Sequence, residues 1–437
     1  MDAEARSKRA RRRERGRRAR LSDDTSPPAS PGGPAQEPSS PLALTNEVVA
    51  KAGPGGATLP VASVTPPARK WWSLSPLDRR RFANFRSNGR GFWSFWIFLF
   101  LFIVSLLANV IANDKPLLVG FKGQIMSPVL WDYPETALGG EFETKALFRD
   151  PYVQGLVNDA GGWILWPPIR YTYDTVLREL PSPTPSPPTW MLTPDKRCAG
   201  YTAGTADPNC TIGNWNWLGT DDQGRDVLAR IIYGFRLSVL FGLILTVLSS
   251  IIGVAAGAVQ GYFGGLTDLL MQRFLEIWTS IPQLFVLLIL ATVFEQGFWT
   301  LLLILLAFSW VQLVGFVRAE FLRSRNFEYV RAARALGLSD LRIIWRHILP
   351  NATVATVTFL PFITAGSITA LTALDYLGLG LPIGQPSLGE LLQQGKSNIT
   401  APWLGFSAFI VIFVMLSLLV FIGEAVRDAL DPRKTFT

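Results

Sequence analysis

The sequence predicts an all-α, polytopic membrane protein with six transmembrane helices and a loop-rich insertion between the first and the second. Three observations carry that expectation. Mean hydropathy is +0.26 over 437 residues. Charged residues make up 17% of the chain, against roughly 25% in soluble domains. Six apolar runs punctuate the chain, each long enough at ~1.5 Å per residue to cross a hydrocarbon core of about 30 Å.

The first 75 residues precede any such run. Residues 1–90 hold 18 basic and 8 acidic residues, a net of +10 in a chain whose total is +8, so the remainder is close to neutral at −2. An arginine-dense start is followed, over residues 22–68, by Pro, Ser, Gly and Ala without aromatic residues or a periodic apolar face. That composition predicts a disordered cytoplasmic tail. The arginines suit a solvated tail that touches anionic lipid. Nucleic acid is disfavoured as a partner, because no recognition module accompanies them. No apolar stretch follows before residue 92, so the segment is not a secretory signal.

The expected spans are 92–112, 237–259, 274–294, 298–317, 354–371 and 403–422. Arg79, Arg80, Arg81, Arg86 and Arg90 precede the first, which places the N-terminus in the cytoplasm. Six crossings return the C-terminus to the same side. Charge in the connections agrees: residues 113–230 hold 10 basic and 14 acidic residues, and residues 318–348 hold seven basic and three acidic ones. Pro282 and Pro361 interrupt the third and fifth spans as kinks, or less expectedly as hinges. Gly253 and Gly257 stand four apart in the second, as ordinary packing glycines or as a site of close helix approach. Glu276 and Asp375 are the ionisable residues near span ends, facing either a pathway or an interface. The resulting organisation is a basic, Pro-rich tail (1–75), an entry segment with the first span (76–112), an insertion (113–230), a five-helix core (231–430) with a cytoplasmic loop (318–350), and a short cytoplasmic end (431–437).

Covalent chemistry has little to work with. His347 is the single histidine, and Cys198 and Cys210 are the two cysteines. That inventory provides no zinc ligand set and leaves a catalytic pair dependent on His347 alone. No phosphate-binding G-x-x-x-x-G-K-[ST] loop occurs. Both cysteines lie in the insertion, on the oxidising side. Either a disulfide closes the short loop between them, which that side favours, or both remain thiols.

Two motifs remain. The first runs from Glu328 to Asn351 and reads as a short helix over 328–336, a glycine stop at Gly337, an amphipathic stretch and then Leu349-Pro350. Ala332 and Ala333 give the helix a small face that a second protein surface can approach. The second is Leu218-Gly219-Thr220-Asp221, then Gly224-Arg225-Asp226, then Arg230. Gly219 and Gly224 suggest a tight loop, and Asp226 is placed to pair with Arg225 or Arg230. Such pairs brace a gate more often than they bind substrate.

Both motifs resemble those of ABC-importer permeases. Arg331-Ala332-Ala333, Gly337 and Leu349-Pro350 resemble the EAA loop, with Arg331 where that family usually has Glu. A salt bridge from that position is therefore not carried over, and Glu328 is the nearby carboxylate. The 218–230 segment resembles the signature of the oligopeptide/dipeptide subfamily. RRFANFRSNGRGFWSFWIF at 80–98, NDKPLL at 113–118 and SLGELLQQGK at 387–396 are similar to its Yej branch. The resemblance implies a type I ABC-importer permease fold in a bacterial inner membrane. It implies uptake of oligopeptides, microcin C-like peptides among them, by alternating access. It implies partners as well: a second, homologous permease, ABC ATPase subunits that bind the ATP and magnesium, and a periplasmic substrate-binding protein. The chain itself would be a transport subunit without catalytic residues, metal or cofactor. The alternatives are import of dipeptides or nickel complexes by the same machinery and, further off, a channel or a membrane anchor.

Overall fold

A computed structural model describes residues 76–199 and 209–431. The predicted disordered tail, its arginine run and the last six residues lie outside the described residues.

Helix α1 (Pro76–Ser87) leads into α2 (Gly89–Leu106), which begins where the Asn88 side chain accepts the Gly91 N–H at 3.3 Å. A single turn, α3 (Ala108–Ile111), ends this first span. The outward faces of α2 stay apolar, Trp93 and Phe100 being about two-thirds exposed. Hydrocarbon rather than water explains such a surface.

The insertion is loop-rich but not featureless. Strands β1 (Leu118–Phe121), β2 (Gln124–Met126) and β3 (Trp163–Leu165) form an antiparallel sheet of order β2-β1-β3, with Val119 opposite both Met126 and Ile164. Helix α4 (Pro151–Asp159) is capped by Asp150, which accepts the Tyr152 N–H. Its Val153 and Val157 join Val119, Phe121, Leu138 and Phe148 in a separate apolar core. This sheet is the one departure from an all-helical chain that hydropathy did not suggest. A short turn, α5 (Pro194–Arg197), leads to a disulfide between Cys198 and Cys210, whose Cα atoms are 4.7 Å apart.

Helix α6 (Val227–Phe263) is the longest, at 37 residues. It starts ten residues before the apolar run because Asp226 caps it, accepting the Ala229 N–H at 2.7 Å. Next come α7 (Gly265–Ser280) and α8 (Gln283–Val293), separated by Ile281 and Pro282 and bent by 67°. The third predicted span is thus a broken one. Pro282 cannot donate to the helical ladder and pushes Ile281 out of helical conformation, to φ −71° and ψ 120°. Helices α9 (Phe298–Ser309) and α10 (Val311–Ser324) together make the fourth span. Among the described residues five helical segments are long and apolar enough to cross a membrane, and the bent pair, taken as one span, brings the total to six.

Helix α11 (Glu328–Ala335), the turn α12 (Asp340–Ile343) and a π-helical turn over Ile344–Ile348 feed directly into α13 (Leu349–Tyr376). In contrast to the break at Pro282, α13 runs through Pro361 as one helix. Helices α14 (Leu388–Ser397) and α15 (Pro402–Leu430) complete the bundle. Helix α6 packs against α10, α13, α9 and α2, and α15 packs against α2, α13 and α14. The core at the insertion end gathers Phe235 and Val239 of α6, Ile368 of α13, Leu391 of α14 and Met415 of α15.

Gly253 and Gly257 mark a close approach, not ordinary packing. A Cβ on Gly257 would stand 2.8 Å from Val317 Cβ and 2.9 Å from the Val314 carbonyl oxygen. The absence of that Cβ is what lets α6 and α10 touch along their backbones.

Candidate functional site

Two regions hold the predicted residues, one at each end of α6. At the insertion end, the loop before α6 turns at Gly219 (φ +76°) and Gly224 (φ +78°). A side chain at Gly219 would also meet the Ser186 carbonyl oxygen at 2.7 Å. These positive φ values fold 219–226 back on itself, with the Val227 N–H donating to the Gly219 carbonyl and the Asp221 N–H to the Arg225 carbonyl. Thr220 is buried; its hydroxyl oxygen accepts the Ser186 N–H at 2.9 Å and its carbonyl accepts Trp403 Nε1 at 3.3 Å.

Folding the loop back buries a quartet of charges. Asp221 and Arg230 are completely inaccessible, and Arg225 is 2% exposed. Asp221 Oδ2 accepts Arg225 Nε at 2.7 Å and a bond from Arg230 Nη1. Its Oδ1 accepts the backbone N–H groups of Gln223 and Arg225 at 2.9 and 2.8 Å. Both guanidiniums also reach Glu390 of α14: Arg225 Nη2 to Oε1 at 3.1 Å and Arg230 Nη2 to Oε2 at 2.8 Å. Arg230 Nη2 also donates to the Gln385 carbonyl at 3.1 Å. Two forks thus hold two carboxylates, so the buried charges balance.

The expected pairing of Asp226 with Arg225 or Arg230 is not formed. Asp226 faces the other way, capping α6 and accepting Asn216 Nδ2 at 2.8 Å. With no cation on it, burial pushes its carboxyl up to about 6. Glu390 is the quartet member that sequence reading missed. The signal was a lone carboxylate in the near-neutral stretch 383–395. Of the span-end candidates, Asp375 is buried at an interface, accepting the Leu381 N–H at 2.8 Å and the Ser387 hydroxyl at 2.6 Å. Glu276 is exposed and paired with Arg273 one turn earlier.

At the far end of α6 stands the 328–350 region. Leu338 N–H donates to the Ala333 carbonyl and Gly337 N–H to the Arg334 carbonyl, a Schellman closure that needs the φ of +77° at Gly337. Val330 and Ala333 are buried against Ala258 and Tyr262 of α6 and Val317 and Phe321 of α10. Ala332 is exposed, so the two alanines do not make one open face; successive helical residues point about 100° apart. Three large apolar side chains face outward among exposed arginines (Arg331, Arg334, Arg342, Arg346): Leu336, Leu341 and Trp345 are 81%, 67% and 65% exposed. Among the described residues neither Glu328 nor Arg331 forms an ion pair. Leu349 is half-buried and Pro350 is exposed at the start of α13. Among the described residues no cluster of His, Cys, Asp and Glu is placed to hold a metal ion.

A broken-span helical bundle, a buried charge clasp at one end and a docked helix–turn element at the other define a membrane transport subunit. Residues 249–436 match the family model of the binding-protein-dependent transport system inner membrane component. The chain is 60% identical over 370 residues to the peptidoglycan transport system permease protein YejE of Agrobacterium fabrum, a match covering 85% of this chain and 96% of the relative. It is 54% identical over 362 residues to the inner membrane ABC transporter permease protein YejE of Escherichia coli, covering 83% and 98%. It is 38% identical over 227 residues to the oligopeptide transport system permease protein OppC of Haemophilus influenzae, covering 51% and 72%. The chain belongs to the YejE family of ABC transporter permeases. It is a multi-pass inner-membrane transport subunit and not an enzyme.

Proposed function

We propose that this chain forms part of the pathway by which an ABC importer moves oligopeptides, microcin C-like and peptidoglycan-derived peptides included, from periplasm to cytoplasm. The names of its relatives, which speak of peptidoglycan and oligopeptide transport, support a peptide-bearing solute. In this reading both termini and the 328–350 region are cytoplasmic, and the insertion is periplasmic. A second, homologous permease completes the pathway, and a periplasmic binding protein delivers the solute. ATPase subunits dock on the 328–350 region and bind the ATP and magnesium; this chain holds no cofactor.

The observation that carries the reading is the two-sided character of α11 and α12. Their inner face is welded to α6 and α10, while Leu336, Leu341 and Trp345 stand in the open. Solvated apolar side chains on a cytoplasmic surface call for a protein partner. A push on that surface moves α6, α10 and α13 together, because close packing transmits displacement instead of absorbing it. At the other end the Asp221–Arg225–Arg230–Glu390 quartet ties α14 to the start of α6, bracing the periplasmic mouth. Alternating access then consists of rocking one packed unit against the partner permease. The same machinery moving dipeptides or metal complexes is the second reading.

The test is co-purification of the chain with its ATPase, comparing the wild type with Leu336→Glu and Leu341→Glu. Both positions are exposed, so the variants leave the fold intact. Loss of the ATPase supports docking at this face; retention of the ATPase with undiminished peptide-stimulated hydrolysis overturns it.

A further inference from the structure

The insertion contains a cleft of about 990 Å³ that neither the bundle nor the coupling element uses. One wall is the small sheet domain, with Trp131, Tyr133 and Arg149; the other is the segment after β3, with Trp166, Arg170 and Arg178. We infer that this cleft is a binding site for the carboxylate end of a peptide.

Two of the three guanidiniums are held by ring stacking. Arg149 lies over the Tyr171 ring at 4.4 Å and donates through Nη1 to the Arg170 carbonyl at 3.3 Å. Arg170 lies over Trp166 at 5.1 Å. Arg170 is also tied down through Nη1, which donates to Asn214 Oδ1 at 3.4 Å; stacking fixes the plane of Arg149 while leaving N–H edges for a planar acceptor. Neither Arg149 nor Arg178 forms an ion pair with a described residue. Three of the four lining carboxylates are committed elsewhere: Asp150 caps α4, Asp132 takes both Lys115 and Lys145, and Asp114 accepts the Thr175 hydroxyl; the fourth is Glu179, beside Arg178, and the cleft holds five basic residues against these four. Trp131 and Leu147, about 70% exposed, supply apolar surface beside the cations. The size is at the upper end of small-ligand sites, which span about 300–1,000 Å³. Mixed aromatic and guanidinium walls of that size suit a short peptide better than a lone anion.

Match lengths separate the insertion from the common transport core. A match of 370 residues in a chain of 437 necessarily includes it, whereas one of 227 is too short to hold both the insertion and the five-helix core.

The choice of a peptide as ligand rests on the proposed function. The experiment is a calorimetric titration of the full chain in lipid nanodiscs, without ATPase, using trialanine and trialanine amide. Saturable binding of trialanine is expected, at least tenfold weaker for the amide. Arg149→Gln is expected to weaken it tenfold or more, with Arg149→Lys between the two. Trp131→Ala, at an exposed position that the fold does not need, also weakens it. The inference is overturned if trialanine gives no saturable heat, if the amide binds equally well, or if Arg149→Gln and Trp131→Ala bind like the wild type. Binding here without peptide transport by the assembled complex sinks the proposed function alone; transport without binding here sinks this site alone.

Discussion

Removing the Asp221 carboxylate by Asp221→Ala is the most demanding perturbation of the clasp. The side chain is fully buried and accepts four bonds, two from guanidiniums and two from backbone N–H groups. Without it, Arg225 and Arg230 share Glu390 alone, and the interior gains an uncompensated positive charge. Breaking a buried pair in this way costs about 3–5 kcal/mol. Arg230→Met should cost a similar amount, because it strands half of Asp221 and Glu390. The double variant removes opposite charges together, and replacing a buried pair by apolar groups is often close to neutral. Its cost should therefore fall short of the sum of the singles by about 2 kcal/mol or more. Denaturant titration of the purified protein in detergent micelles, with all four proteins in one cycle, measures that coupling. Single-variant costs below about 1 kcal/mol, or a double variant that costs the plain sum, would refute a mutually dependent quartet.

Two further outcomes follow from the same coordinates. Asp226 titrates at about 6 when folded, against an ordinary 3.8. The folded state therefore binds the extra proton between those values, and stability should decline as pH rises from about 4 to 6, by at most about 3 kcal/mol. Asp226→Asn, which keeps the capping oxygen, should remove that slope in stability measured from pH 4 to 7. Gly257→Leu should force α6 from α10, since even a Cβ meets Val317 and the Val314 carbonyl below 3.0 Å. A loss of roughly 1–3 kcal/mol or more is expected for such overpacking, read as a lowered unfolding midpoint.

Much of the membrane architecture was legible before any coordinates. Apolar run length located the spans, and Pro282 located the break, because proline acts on the backbone of its own neighbours. Gly337, Gly219 and Gly224 announced turns for the same local reason. The capping role of Asp226 was also within reach, since an aspartate immediately before a helix ordinarily accepts its first N–H groups. So was the burial of Ala333, which shares a face with Val330 at i, i+3 while Ala332 cannot.

What the chain determined by itself is therefore whatever depends on hydropathy, backbone conformation and near neighbours: the spans, the turns and the family motifs. Tertiary structure alone decided which carboxylates the two arginines hold. Glu390 lies 165 residues beyond Arg225, and nothing in the pattern of either segment encodes that distance. It decided the α6–α10 contact at Gly257 and the cleft within the insertion on the same ground. Burying a charge is tolerable only where an opposite charge arrives from elsewhere in the fold, and that arrival is a property of the packed bundle, not of any stretch of sequence.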